Sequence, residues 1–193
     1  MARRELQFAK GGVYHIYNRG VSKQDIFHKA VDYVYVASNL LRIAANLDLE
    51  LITWCLMPNH YHLIVRQNGE HSAGKLAQYT MNAYAKHYNR AYGHIGRVFE
   101  SPFKARAIES DDGFSRAFRY IHLNPVKDGH VEDPEQWPFR GLSPTQPAPA
   151  SSPDTTAGTS DHPGPAEASV AAPLFPLSPG LIQKNGATDT DIE

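Results

Sequence analysis

Two histidines separated by one residue, His60 and His62, stand in the stretch MPNHYHLIV at positions 57–65. In extended backbone, residues i and i+2 project to the same face. The two imidazoles would therefore lie close together and could share one metal ion, while Tyr61, Leu63 and Val65 turn to the opposite face and join a core. The plainer alternative is a pair of surface histidines on an open sheet face. A nuclease-like site needs a nucleophile and a third ligand as well. Tyr120 and Asn124 are four residues apart, which puts them on one helical face, one turn from each other. An asparagine carbonyl oxygen suits a hard cation, and a phenolate can attack phosphorus to leave a covalent intermediate. The competing role for this pair is structural, with Tyr120 in a core and Asn124 capping the helix end.

Other groups carry weaker signals. Tyr84, Tyr88 and Tyr92 recur every four residues, the stripe by which a helix packs on a core. The single cysteine, Cys55, lies in an apolar run and reads as a small buried hydrophobe. Arg97, Lys104 and Arg106 lie on or just before the segment VFESPFKARA, Arg116, Arg119 and Lys127 bracket Tyr120, and Arg19 ends the first aromatic-rich segment. Such cations bind phosphates with salt-dependent affinity, or are ordinary solvated charges. Phe99 and Phe103 could stack on bases or fill the core. His122, two residues beyond Tyr120, reads as a helix-surface residue.

The elements that must position these groups follow from periodicity. GVYHIYNRG (12–20) alternates and ends in glycine, so it predicts a strand. Residues 23–46 carry apolar positions at helical spacing. LELITWCLM (49–57) and HYHLIVRQ (60–67) predict two strands joined at Pro58 and Asn59 as a hairpin. Residues 72–92 predict a helix stopped by Gly93, and 98–110 an extended segment. Residues 111–129 predict a helix ended by Pro125 near Asn124, because the residue before proline disfavours the α region. The order is β-α-β-β-α-β-α, an α+β fold with helices packed on an antiparallel sheet.

The chain has 193 residues, enough for one domain with a core and a tail. Residues 142–193 hold nine of the 14 prolines, six acids and one base. Subtracted from 20 acids and 19 bases, that tail leaves 14 acids and 18 bases in residues 1–141. A mildly basic body permits an anionic partner, and the Pro/Ala/Ser-rich acidic tail buries too little apolar surface to offset its ordering entropy. The lone cysteine excludes a disulfide framework. MARRELQFAKGG lacks the apolar stretch of a signal peptide. With no apolar run of membrane-spanning length either, a cytoplasmic location is expected.

MPNHYHLIV, GRVFESPFKARAI, RYIHLNPVKDGHV, WPF and the early YHIYNRG together resemble the single-tyrosine HUH transposases, where U is a bulky hydrophobic residue. They resemble especially the branch called REP-associated tyrosine transposases. The resemblance spans about residues 5 to 141, and the HUH motif followed by YIHLNPVKDG at this separation is specific. It implies a ferredoxin-like HUH nuclease fold. It also implies a divalent metal, Mg²⁺ or Mn²⁺, on His60 and His62, with Asn124 as third ligand. Tyr120 would be the catalytic nucleophile, joined to the 5′ side of the break, with Tyr84 or Tyr88 as fallback. The implied substrate is single-stranded DNA carrying hairpins of the REP-like palindromic kind, held in part by Arg19, Arg97, Lys104, Arg106, Arg119 and Lys127. Relatives act as monomers or homodimers. A hairpin-DNA-binding protein that has lost cleavage, and a metal-dependent phosphodiesterase using water, are the rivals.

Overall fold

The computed structural model describes residues 6–142, so the tail expected from 142 onward lies outside the described residues except for Leu142 itself. Nine residues, Leu49–Met57, form β2 and eight, His60–Gln67, form β3. Pro58 and Asn59 make the turn between them, and the Pro58 carbonyl accepts hydrogen bonds from the Ile26 and Phe27 amides. The hairpin end is thereby tied to the preceding segment, and Met57 pairs with His60 and Cys55 with His62. A bulge at Ile52 separates the Leu51–Val65 pair from the Thr53–Ile64 pair. Strand β2 is buried on both faces.

Strand β1, Val13–Arg19, lies on the other side of β3, and β4, Lys104–Ile108, pairs with β1. The sheet order is β4-β1-β3-β2-β5, antiparallel throughout, where β5 is Arg140–Leu142. Its first four positions have the order of the split βαβ, ferredoxin-like arrangement. Helices α1, Ala30–Asn46, and α2, Gly74–Tyr92, cover one face with a core that includes Ile16, Tyr61, Leu63, Val65, Leu40 and Tyr84. Helix α3, Asp111–Lys127, covers the opposite face through Ile121, Phe114 and Phe118 against Cys55, Met57 and Ile64. Alternation thus separates Tyr61, Leu63 and Val65 from His60 and His62 as expected. Among the described residues no helix is long and apolar enough to cross a membrane.

Three expectations need correction, and one strand was not foreseen. Helix α1 starts at Ala30, seven residues later than its apolar pattern. Ser22 and Lys23 adopt positive φ, and the Asp32 carboxylate takes the backbone amides of His28 and Lys29 at 2.9 Å, which sets the helix start. Pro125 sits inside α3, and the helix continues to Lys127. Only the last turn is affected, and burial of Ile121, Asn124 and Pro125 against the sheet holds the backbone helical there. The extended segment 98–110 yields only five residues of strand. The short β5 was not foreseen; it docks where Gly141 passes under the Trp54 indole, a place with no room for a Cβ.

Candidate active site

The strand register decides which side chains meet. In an antiparallel pair, directly opposed residues share a face. Tyr17 stands opposite His62, Arg19 opposite His60, and on the outer side of β1 Arg106 opposes His15 and Lys104 opposes Tyr17. The HUH pair therefore lies in the middle of a row of aromatic and basic residues. The His60 and His62 ring centroids are 5.1 Å apart. Tyr120, 44% exposed on α3, approaches His62 edge to face at 5.5 Å. His60, His62, Tyr120, Tyr17, Lys104 and Asp128 line one open cavity of about 370 Å³. An adjoining hollow of about 600 Å³, which includes His15, Arg106 and Arg116, shares Tyr17, His62 and Tyr120.

Both HUH imidazoles engage Nδ1 with protein. His60 Nδ1 donates to Asn59 Oδ1 at 2.6 Å, and His62 Nδ1 lies 2.9 Å from His15 Nε2. Burial disfavours the charged form of each ring. It pushes His60 below the usual histidine range, partly opposed by the Asp128 carboxylate, with His130 and Arg19 lowering it further. Burial lowers His62 well below that range, helped by His15 and His60. His15 falls to about 4, chiefly through burial and then through Arg106. At neutral pH the three rings are uncharged, the state in which imidazole binds metals.

His60, with its Nδ1 proton on Asn59, leaves Nε2 to ligate, and His62 does so when its proton is on Nδ1, a pair that fits a divalent metal. Among the described residues no three His, Cys, Asp or Glu side chains could hold an ion together. Further positions would fall to Asn124, water or phosphate, as suits Mg²⁺ and Mn²⁺. Asn124 is 5% exposed on the sheet side of α3, and its Nδ2 is buried without a hydrogen-bond partner. The cavity lining includes Tyr120 and Asp128 on α3 and its cap but not Asn124.

The basic residues separate into groups. Lys104 and Arg106 border the two hollows, and the Lys127 ammonium stands 4.9 Å from the Tyr120 ring centroid. Arg19 forks onto the Glu100 carboxylate, and Arg97 donates to the Glu100 carbonyl. These two line a neighbouring groove with Lys23 and His94, and Arg19 and Lys23 also line the cavity that holds His60, His62 and Tyr120. Arg116 is held by Asp112, and Arg119 is exposed on α3 outside both hollows.

Tyr84 and Tyr88 are buried in the opposite layer, where the Tyr84 hydroxyl donates to the Ile26 carbonyl. They are remote from the HUH face, so the fallback nucleophiles have no access to it. His122 is a correction: it is 8% exposed, facing the sheet rather than solvent, with Nε2 2.9 Å from Thr53 Oγ1. Phe99 and Phe103 pack against the α1–α2 core and line a separate cavity with Tyr61 and Met81. Cys55 is fully buried, and burial raises its thiol to about 12. His15, Tyr17 and Asp128 were not singled out from sequence; His15 and Tyr17 alternate correctly in YHIYN, but only the β1–β3 register brings them to His62.

A ferredoxin-like sheet thus presents paired histidines to a helix-borne tyrosine. Residues 9–124 match the family described as Transposase IS200 like, and the chain belongs to that family. It is 26% identical over 152 residues to a Haemophilus influenzae protein provisionally described as a REP-associated tyrosine transposase, covering 72% of this chain and 84% of that one. It is 23% identical over 109 residues to the REP-associated tyrosine transposase of Escherichia coli K12, covering 55% and 62%. A solved structure of a REP-associated tyrosine transposase bound to a REP hairpin shares the fold, with TM-score 0.58, 20% identity and coverage of 72% and 82%.

Proposed function

We propose that this transposase is a metal-dependent endonuclease and strand transferase acting on single-stranded DNA beside a hairpin, with Tyr120 as nucleophile. The observation that carries this reading is the single cavity shared by His60, His62 and the exposed Tyr120. A divalent metal held by His60 and His62, its remaining positions filled by water or phosphate, would supply Lewis-acid polarisation of the scissile phosphate. Tyr120 loses its phenolic proton to water, its oxygen bonds phosphorus, the P–O3′ bond breaks, and the released 3′ oxygen takes a proton. The DNA 5′ phosphate is then joined to Tyr120, and attack by a 3′-hydroxyl reverses the step at a new junction. The Lys127 ammonium stands over the Tyr120 ring, which bears the reacting oxygen. Lys104 and Arg106 lie where a strand leaving the cavity would present phosphates. That the structural neighbour holds a REP hairpin supports a hairpin substrate here.

The test uses hairpin single-stranded DNA from the sequence flanking the gene, labelled at either end, with Mn²⁺ or Mg²⁺. Wild type is expected to form an adduct that survives a denaturing gel. Tyr120→Phe and the His60→Ala/His62→Ala pair should not, and Tyr84→Phe should. An adduct formed by Tyr120→Phe would remove Tyr120 from the role. A free 5′-phosphate product without adduct would assign the attack to water, and binding without cleavage would point to a hairpin-binding protein.

A further inference from the structure

The two HUH imidazoles are treated alike by their surroundings, although their partners come from different elements. His60 Nδ1 faces Asn59 Oδ1, which can only accept, so His60 carries its proton on Nδ1 and leaves Nε2 bare. His62 Nδ1 faces His15 Nε2 at 2.9 Å. Two arrangements satisfy that contact. If His15 donates, His62 must carry its proton on Nε2, and that nitrogen cannot ligate. If His62 donates, its Nε2 lone pair is free, as on His60.

We propose that His15 is a positioning residue: its Nε2 accepts the His62 Nδ1–H and holds His62 with the Nε2 lone pair free for the metal. The inference rests on the metal role given above to His60 and His62. Metal-ligating histidines commonly give their second ring N–H to a carbonyl or carboxylate, which fixes tautomer and ring orientation. Here an imidazole on the neighbouring strand serves. His15 is itself braced on both sides. Its ring lies 5.0 Å from Tyr17 and 6.4 Å from Tyr120, and its strand partner on the outer side is Arg106. The groups facing it are thus His62, the two tyrosines and a guanidinium, and none of them is an acid that would hold a second proton on it. His15 comes from β1, Asn59 from the hairpin turn. The two ligands are therefore oriented independently, and loss of one partner should leave the other histidine in place.

The experiment has two arms. Long-range ¹H–¹⁵N spectra of metal-free wild type at neutral pH report the His62 tautomer, and free Mn²⁺ measured by electron paramagnetic resonance reports affinity. His62 is expected to show a protonated Nδ1 and bare Nε2. His15→Phe, which fills the space without an acceptor, should lose that preference and weaken Mn²⁺ binding about 10- to 100-fold. His15→Gln, whose amide oxygen can accept, should restore affinity to within a few-fold. A wild-type His62 protonated on Nε2 overturns the inference even if His15→Phe fails to fold. So does a folded His15→Phe that binds Mn²⁺ like wild type. Wild type that binds no Mn²⁺ overturns the metal site itself, and this inference with it.

Discussion

His62 and Tyr120 meet edge to face, ring centroids 5.5 Å apart, although 57 positions of chain lie between them. The contact joins the sheet to α3, so Tyr120 is placed by helix packing and the imidazoles by strand alternation. Among the described residues one cation is stacked on that tyrosine: Lys127, two turns along α3.

Lys127→Ala should therefore slow cleavage without abolishing it. A cation over an aromatic face at an exposed site is worth about 0.5–1 kcal/mol. The expected drop in single-turnover rate is roughly two- to fivefold by that figure. Lys127→Arg should retain most of the rate. An unchanged rate in Lys127→Ala would show that the ammonium takes no part.

The basic residues around the cavity should differ in their effect on salt dependence. Each phosphate that a cation neutralises on single-stranded DNA adds about 0.7 to the slope of log K against log salt. Lys104→Ala and Arg106→Ala should each make the slope shallower by that amount, since neither side chain has an acidic partner among the described residues. Arg116→Ala should change the slope less, because its guanidinium is already held by Asp112. Equal changes in all three would mean that the Asp112 pair opens on binding.

What could be read from sequence was whatever depends on local period. His60 and His62 alternate against Tyr61 and Leu63 in any strand, Pro58-Asn59 makes the turn, and Gly93 ends α2 at positive φ. Contacts set by register or by one tertiary bond escaped. His15 reaches His62 only because β1 pairs with β3 in one alignment. The start of α1 depends on a carboxylate that caps amides three and four residues back. His122 looked like surface because its helix was read without its sheet, and three residues of β5 have no period to detect.

Gly141→Ala tests how β5 is seated. A Cβ there would fall 1.9 Å from Trp54 Cζ2 on a buried, rigid indole. Either the strand lifts or the ring turns, and overpacking of this kind costs about 1–3 kcal/mol. Urea unfolding followed by tryptophan fluorescence should show the destabilisation. Wild-type stability would mean that β5 is not docked against Trp54.

Acid should destabilise the fold through His122. Thr53 donates its hydroxyl hydrogen to the Gly141 carbonyl, so His122 Nε2–H donates to Thr53 Oγ1 and its buried Nδ1 keeps a lone pair without a partner. Burial first, and then Arg140, depress this histidine from 6.5 to about 4. Below pH 6.5 the unfolded chain therefore binds a proton that the folded chain refuses until about pH 4. The unfolded state holds more protons across that window, so stability falls as pH drops through it and levels off below. The contribution of this one ring is on the order of 3 kcal/mol. His15, His60 and His62 act with the same sign, so a slope should persist when His122 is removed. His122→Gln can keep the bond to Thr53 and should flatten the decline by about that amount. Urea unfolding in EDTA at pH 7.5 and at several values down to 4.5 would measure it. A slope identical to wild type would show that His122 titrates normally in the folded chain.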